Sequence, residues 1–199
     1  MKQFPQIAVS AGNSKLGAAI PNVSLIPIKD CGNCEQCRTD CYALKAWRQY
    51  KPTRAAWTRN SKAFRADPVA ACQQIHDWLA KKRKRPEFFR IHVAGDFLNQ
   101  SAVNAWSNLA ADNADIKFLA FTKMHALDYS TIASNMTVVH SMWPGLADTA
   151  PNGASRAWLQ DGTETRIPQD AIHCPGNCAD CGMCWELPSI GRDVYFTIH

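Results

Sequence analysis

The chain has 199 residues, of which 46% are hydrophobic and 20% charged, and a net charge of +5. This composition excludes a disordered chain, and the length suffices for one domain, residues 1–199, around a full core. No apolar run reaches the roughly 18 residues a membrane span requires, and Met1-Lys2-Gln3-Phe4-Pro5 opens no apolar signal-like stretch, so the expected setting is a reducing cytoplasm without membrane contact.

In chain order, Val23 to Ile28 is a short apolar strand candidate with Pro21 and Pro27 near its ends. Tyr42 to Tyr50 and Thr53 to Phe64 follow a helical pattern interrupted near Pro52. Trp47, Tyr50, Trp57 and Phe64 fall on one stripe, which reads as core rather than as a base-stacking platform. Asp67-Pro68 has the form of an N-cap followed by a first-turn proline, with Val69, Cys72, Ile75 and Leu79 at core spacing behind it. Strand-like segments follow at Phe88 to Ala94, Lys117 to Thr122 and Met136 to Met142. A helix from about Ser101 to Ala111 and a shorter one over Leu127 to Ala133 separate them. The Gly- and Pro-rich stretch 144–168 reads as a long loop with a short hairpin near Asp161-Gly162, and Val194 to Ile198 as a last strand. Strands alternating with helices predict an α/β fold of parallel βαβ units, forming an incomplete (β/α) barrel or an open sheet.

Charge is unevenly distributed. Residues 1–86 carry 16 bases and 5 acids, and residues 87–199 carry 6 bases and 12 acids. Lys45, Arg48, Lys51 and Arg54, then Arg59, Lys62 and Arg65, recur at helical spacing, and Lys81-Lys82-Arg83-Lys84-Arg85 forms a run. Two readings stand: a solvated helix face with a basic helix end, or a contact surface for nucleic acid or another polyanion.

Nine cysteines in a reducing compartment point to metal rather than disulfides. Cys31-x2-Cys34-x2-Cys37-x3-Cys41 and Cys174-x3-Cys178-x2-Cys181-x2-Cys184 each pack four thiols into 11 residues. Structural zinc usually draws two close pairs from separate turns, whereas several thiolates on one short loop suit the spread corners of a [4Fe–4S] cube. The first run reproduces a bacterial ferredoxin spacing, with Tyr42 in place of the usual following proline. The expectation is one or two [4Fe–4S] clusters, with zinc as the alternative metal. Cys174-x3-Cys178-x2-Cys181 also has the spacing of radical S-adenosylmethionine enzymes, although Asp180 precedes the third thiol and Cys184 could close the open iron. Cys72 reads as a packed core thiol.

Asn13-Ser14-Lys15-Leu16-Gly17, Ile20-Pro21-Asn22-Val23-Ser24-Leu25, Cys41-Tyr42-Ala43, Arg90-Ile91-His92-Val93-Ala94-Gly95-Asp96-Phe97, Phe121-Thr122-Lys123 and Cys174-Pro175-Gly176 together resemble the gene product 88 family of phage-encoded proteins. The resemblance implies a cysteine-rich phage protein acting in the infected host's cytoplasm. It also raises kinship with radical S-adenosylmethionine barrels, as an analogy of fold. It implies no activity.

Ligands of α/β folds gather at the carboxyl ends of the strands. Arg90 and His92 alternate onto one face of their strand, Asp96 follows its end, Lys123 follows the next strand, and His140 lies near the end of the third. These five either line a pocket beside the metal or form an internal network, Asp96 with Lys123 for example, that holds the strands together. Three functions remain: an iron–sulfur redox or radical enzyme, a nucleic-acid-binding module with structural metal, and an electron carrier or cluster-based sensor.

Overall fold

The structure is a computed structural model that describes residues 3–13, 16–35, 37–39 and 41–197. Its centre is a seven-stranded sheet, and every pairing between its strands is parallel. The strands are β1 (Asn22–Val23), β2 (Phe88–Ile91), β3 (Lys117–Thr122), β4 (Met136–Met142), β5 (Arg156–Gln160), β6 (Ile172–His173) and β7 (Val194–Thr197), in the spatial order β1-β2-β3-β4-β5-β7-β6. The helices are α1 (Tyr42–Gln49), α2 (Lys51–Ala66), α3 (Pro68–Ala80), α4 (Gln100–Ala111), α5 (Cys178–Cys181) and α6 (Leu187–Ile190). None of the described helices is long and apolar enough to cross a membrane.

β3 and β4 have the bounds their apolar runs predict, because strands buried on both faces read apolar throughout. Asp67 caps α3 through its carboxylate, which accepts from the amides of Val69 and Ala70. Asn99 caps α4 by accepting from Ala102. Phe89, Ile91, Phe118, Ala120, Met136 and Val138 pack on one sheet face against Phe64, Cys72, Ile75, Leu79, Trp106 and Leu109 of the helices. On the other face Leu119, Val139, Ala157 and Val194 enclose Leu16, Ile20, Trp185 and Leu187.

That second face is concave. The rings of Phe121 on β3 and Phe196 on β7 are 5.9 Å apart, although β4 and β5 lie between them. A flat sheet with strands about 4.8 Å apart would separate them by roughly 14 Å. The curl remains open, since no pairing among the described residues joins edge strand β1 to edge strand β6.

Several expectations need correction. Of the first candidate, Val23 to Ile28, only Val23 pairs as a strand, which begins one residue earlier at Asn22. Leu25 still donates to Ala94, but Ile28 then turns left-handed at φ 67°. β2 ends at Ile91 because His92 adopts φ 46°. Leu127 to Ala133 forms turns rather than a helix. There the Asp128 carboxylate accepts from Ser130, a local bond that competes with helix formation. The stretch 144–168 contains β5, whose short run is masked by neighbouring Gly and Pro. No hairpin forms at Asp161-Gly162, since both partners of β5 are parallel. Val69 lies in the first turn of α3 and is 61% exposed. Of the aromatic stripe, Phe64 is buried, Trp47 and Trp57 stack half-buried, and Tyr50 is 53% exposed beside the break between α1 and α2. Ile198, Ser14 and Lys15 lie outside the described residues.

Candidate functional site

The first cysteine loop leaves the carboxyl end of β1. Ile28 sits at its entrance in the left-handed region, a genuine outlier for a β-branched side chain. Its amide donates to Cys31 Sγ at 3.1 Å, while Cys34 Sγ faces the Ile28 carbonyl at 3.8 Å. Ile28 and His92 are the two non-glycine residues with positive φ among those described, and each follows the carboxyl end of a neighbouring strand. Gly32, at φ 59°, lies against Met124 from the loop after β3, and an added Cβ would come 2.1 Å from the Met124 sulfur.

The second cysteine loop follows β6, where the Cys174 amide donates to Tyr195. It then runs beneath the concave face through α5 and a short 3-10 turn, Met183–Trp185. Trp185 anchors it by packing 4.7 Å from Phe88, ring to ring, and donating to the Phe89 carbonyl. Cys174, Cys178, Cys181 and Cys184 line one shallow pocket together with Pro175, Asn177 and Trp185.

Arg90 projects from β2 towards this loop. Its guanidinium stacks 4.1 Å from the centre of Phe121, its Nε is buried without a partner, and it takes part in no ion pair among the described residues. Burial lowers the Arg90 pKa, while the nearby Tyr42 and the thiols of Cys184, Cys178 and Cys174 oppose that shift. Burial pushes the Cys184 thiol up to about 12, and Arg90 is the main influence pulling it down.

Tyr42 connects this region to the first loop. Its ring flank is exposed, but its hydroxyl donates to the Val93 carbonyl. Burial raises its pKa, Arg90 lowers it, and Cys41, Cys31 and Cys37 oppose Arg90. Lys123 is the cation of the first loop. Cys31 is raised to about 11 mainly by burial, and Cys37 is raised for the same reason, while Lys123 counters both. The Lys123 ammonium also stands 5.0 Å from the centre of Trp143.

The other expected site residues occupy different environments. The Arg90/His92 alternation fails because positive φ at His92 swings its ring onto the helix-covered face. There His92 accepts from the Trp106 indole at 3.2 Å and packs edge-on to Phe64, Phe97 and Trp106. Asp96 is a buried node: its carboxylate accepts from the Thr122 hydroxyl, the Lys123 amide and the Phe97 amide. It therefore ties the ends of β2 and β3 together through the backbone of Lys123, not its side chain. Burial raises Asp96 to about 6. His140 faces His125 at 5.2 Å and Tyr129 at 5.4 Å, ring to ring. Both nitrogens of His140 and Nε2 of His125 are buried without partners.

Tyr42, His125 and Tyr129 were not anticipated. Tyr42 did carry a signal, as the residue that replaces the ferredoxin-type proline. Among the described residues, no three His, Cys, Asp or Glu side chains converge closely enough to enclose one metal ion.

Residues 5–187 match the family model for gene product 88. The chain belongs to the gene product 88 family. Gene 88 proteins of Mycobacterium phage L5 and Mycobacterium phage D29 are each 28% identical to it over 178 residues, an alignment covering 74% of either chain. No solved structure matches it. Of the residues that carried the resemblance, Ser24–Leu25, Ala94–Phe97 and Lys123 follow the carboxyl ends of β1, β2 and β3, Cys174–Gly176 open the second cysteine loop, and Gly17 lies against Ala179 of that loop.

Proposed function

We propose that this gene product 88 protein is an iron–sulfur protein, with one or two [4Fe–4S] clusters held by the two cysteine loops, and that it is a redox or radical enzyme rather than an electron carrier. The observation that carries this reading is the pairing of the second loop with Arg90. Four thiols line one pocket, and beside them Arg90 has a buried Nε without a partner and no ion pair among the described residues. A half-buried guanidinium without a counterion is costly unless negative charge arrives. Thiolates formed on metal binding supply such charge.

A bound cluster would supply one-electron transfer at this place. The protein's own groups serve it in definite ways. Arg90 and Lys123 balance sulfur charge, one beside each loop. The Ile28 amide donates to Cys31, the kind of hydrogen bond to sulfur that tunes a cluster's potential. Trp185 and Phe88 cover one side of the second loop, while Cys181 stays exposed. The curled sheet with polar groups at its strand ends supports an enzyme, because a bare carrier needs far less scaffold. The Cys174-x3-Cys178-x2-Cys181 spacing favours S-adenosylmethionine as the co-substrate; these three thiols would hold the cluster.

Purification without oxygen, followed by iron, sulfide and zinc analysis and a visible spectrum, tests the inorganic part. A brown protein with about four irons and four sulfides per cluster is expected. A colourless protein loaded with zinc overturns it. Reduction with S-adenosylmethionine should then yield 5′-deoxyadenosine, and an intact, reduced, iron-loaded sample that yields none removes the radical reading.

A further inference from the structure

The segment 42–66, which forms α1 and α2, contains seven bases and no acid. On α2 the residues Lys51, Arg54, Arg59, Lys62 and Arg65 are all exposed. At 100° per residue they fall within one sector roughly 140° wide, opposite the buried Asn60, Ala63 and Phe64. Lys45 and Arg48 extend the exposed cations onto α1. Of these seven, Arg65 alone takes part in an ion pair among the described residues, with the buried Asp30. Elsewhere the protein does pair its surface cations: Arg85 with Asp115, Lys117 with Glu186, and Arg156 with Asp148. An ordinary solvated helix mixes both signs at i, i+4 spacing. This one forgoes every such pair and places like charges side by side. An external polyanion would relieve this repulsion.

We infer that the outer face of α1 and α2 binds nucleic acid. Successive cations on α2 are three to five residues apart, or about 4.5–7.5 Å along the axis, a spacing suited to following a phosphate backbone. Tyr50 stands between the two helices, 53% exposed and flanked by Arg48, Lys51 and Arg54, where an unpaired base can stack on it. That aromatic favours a nucleic acid over an acidic protein, which would use the charges alone. The far end of the face leads to the first cysteine loop. Lys29, Arg65 and its ion-pair partner Asp30 line a cavity of about 290 Å³ together with Gly32, Phe97, Leu98 and Asn99. A strand on the helices therefore reaches the loop of Cys31. The inference does not depend on iron at that loop.

Fluorescence anisotropy of the full-length protein with labelled 20-nucleotide single-stranded DNA, single-stranded RNA and duplex DNA tests it. With about four phosphate contacts, affinity should fall about 100-fold between 50 and 200 mM salt. Combined Arg54→Glu, Arg59→Glu and Lys62→Glu should weaken binding at least 100-fold. If that variant fails to fold by circular dichroism, Arg54→Gln and Arg59→Gln singly should each lower the salt slope by about one. Tyr50→Ala should cost about tenfold on single strands and little on duplex. Neutralising Lys81 and Lys84 instead should change affinity less than twofold. No binding to any of the three at 50 mM salt, binding insensitive to salt, or equal binding by the charge variants overturns the inference. Equal affinity for polyglutamate would also overturn it, by showing a surface selective for charge alone.

Discussion

The guanidinium of Arg90 stacks on the ring of Phe121 at 4.1 Å and has no carboxylate partner among the described residues. Arg90 comes from β2 and Phe121 from β3, and both face the second cysteine loop across the concave side of the sheet. An uncompensated charge at this place is expected to destabilise the metal-free fold.

Arg90→Met should therefore stabilise the metal-free protein by about 1–2 kcal/mol, a figure kept low because the side chain is only partly enclosed. The same change should lower the iron retained against a chelator severalfold. Urea unfolding of stripped protein and iron-release kinetics of loaded protein measure the two. Opposite signs are the signature of a charge partner, whereas a purely structural arginine would lower both.

Stability should rise as pH increases from about 4 to 6.5. Burial lowers His92 to about 3 and His140 to about 4, and His125 shifts the same way. In that window the unfolded chain binds protons that the folded histidines refuse, so raising pH favours the fold. Asp96 opposes this, because its raised pKa of about 6 keeps a proton on the folded form that the unfolded chain has released. Two large histidine contributions against one carboxyl leave a net gain of about 2–4 kcal/mol over the window. His92→Phe should flatten the curve, and leaves the Trp106 indole unpaired at a cost of about 1–3 kcal/mol. Urea midpoints taken at half-unit pH steps give both quantities.

Gly95→Ala and Gly32→Ala should differ in severity. Gly95 has φ 82°, and a Cβ there would lie 2.6 Å from the Leu25 Cβ, held rigidly beside β1. A loss of at least about 2 kcal/mol, or about 4–8 °C in Tm, is expected. At Gly32 the obstacle is the flexible end of Met124, so about 1 kcal/mol is expected from backbone strain. Differential scanning calorimetry of the two variants orders them.

The nine thiols should divide eight to one. Cys72 lies in the core between Ile75 and its helical neighbours, and burial alone raises its pKa. Cys72→Ala should keep the full iron content at a stability cost of about 1 kcal/mol. Cys178→Ser should lose most of the iron and the visible colour. The iron-to-protein ratio of the two variants, prepared side by side without oxygen, checks the division.

Much of the scaffold was legible before any coordinates. β3, β4, α3 and α4 lie where long apolar periodicity and capping residues put them, because those signals are local. β5 escaped notice because its five residues stand among turn formers, and its strand character comes only from pairing with β4 and β7. The turns at 127–133 displaced an expected helix because side chains of Asp128 and Gln100 satisfy that backbone locally. His92 left the face that alternation assigns it because one positive φ rotates everything beyond it.

By itself, the sequence determined the kind of chemistry available: eight loop thiols at cluster-like spacing, a cation-rich first half, and a parallel α/β core. Thiol spacing and charge are properties of the chain and survive any folding. Only the tertiary structure decided which cation meets which loop, since the curl of the sheet brings Arg90 to cysteines more than 80 residues away. Curvature is a collective result of strand twist and packing, and no local stretch of residues encodes it.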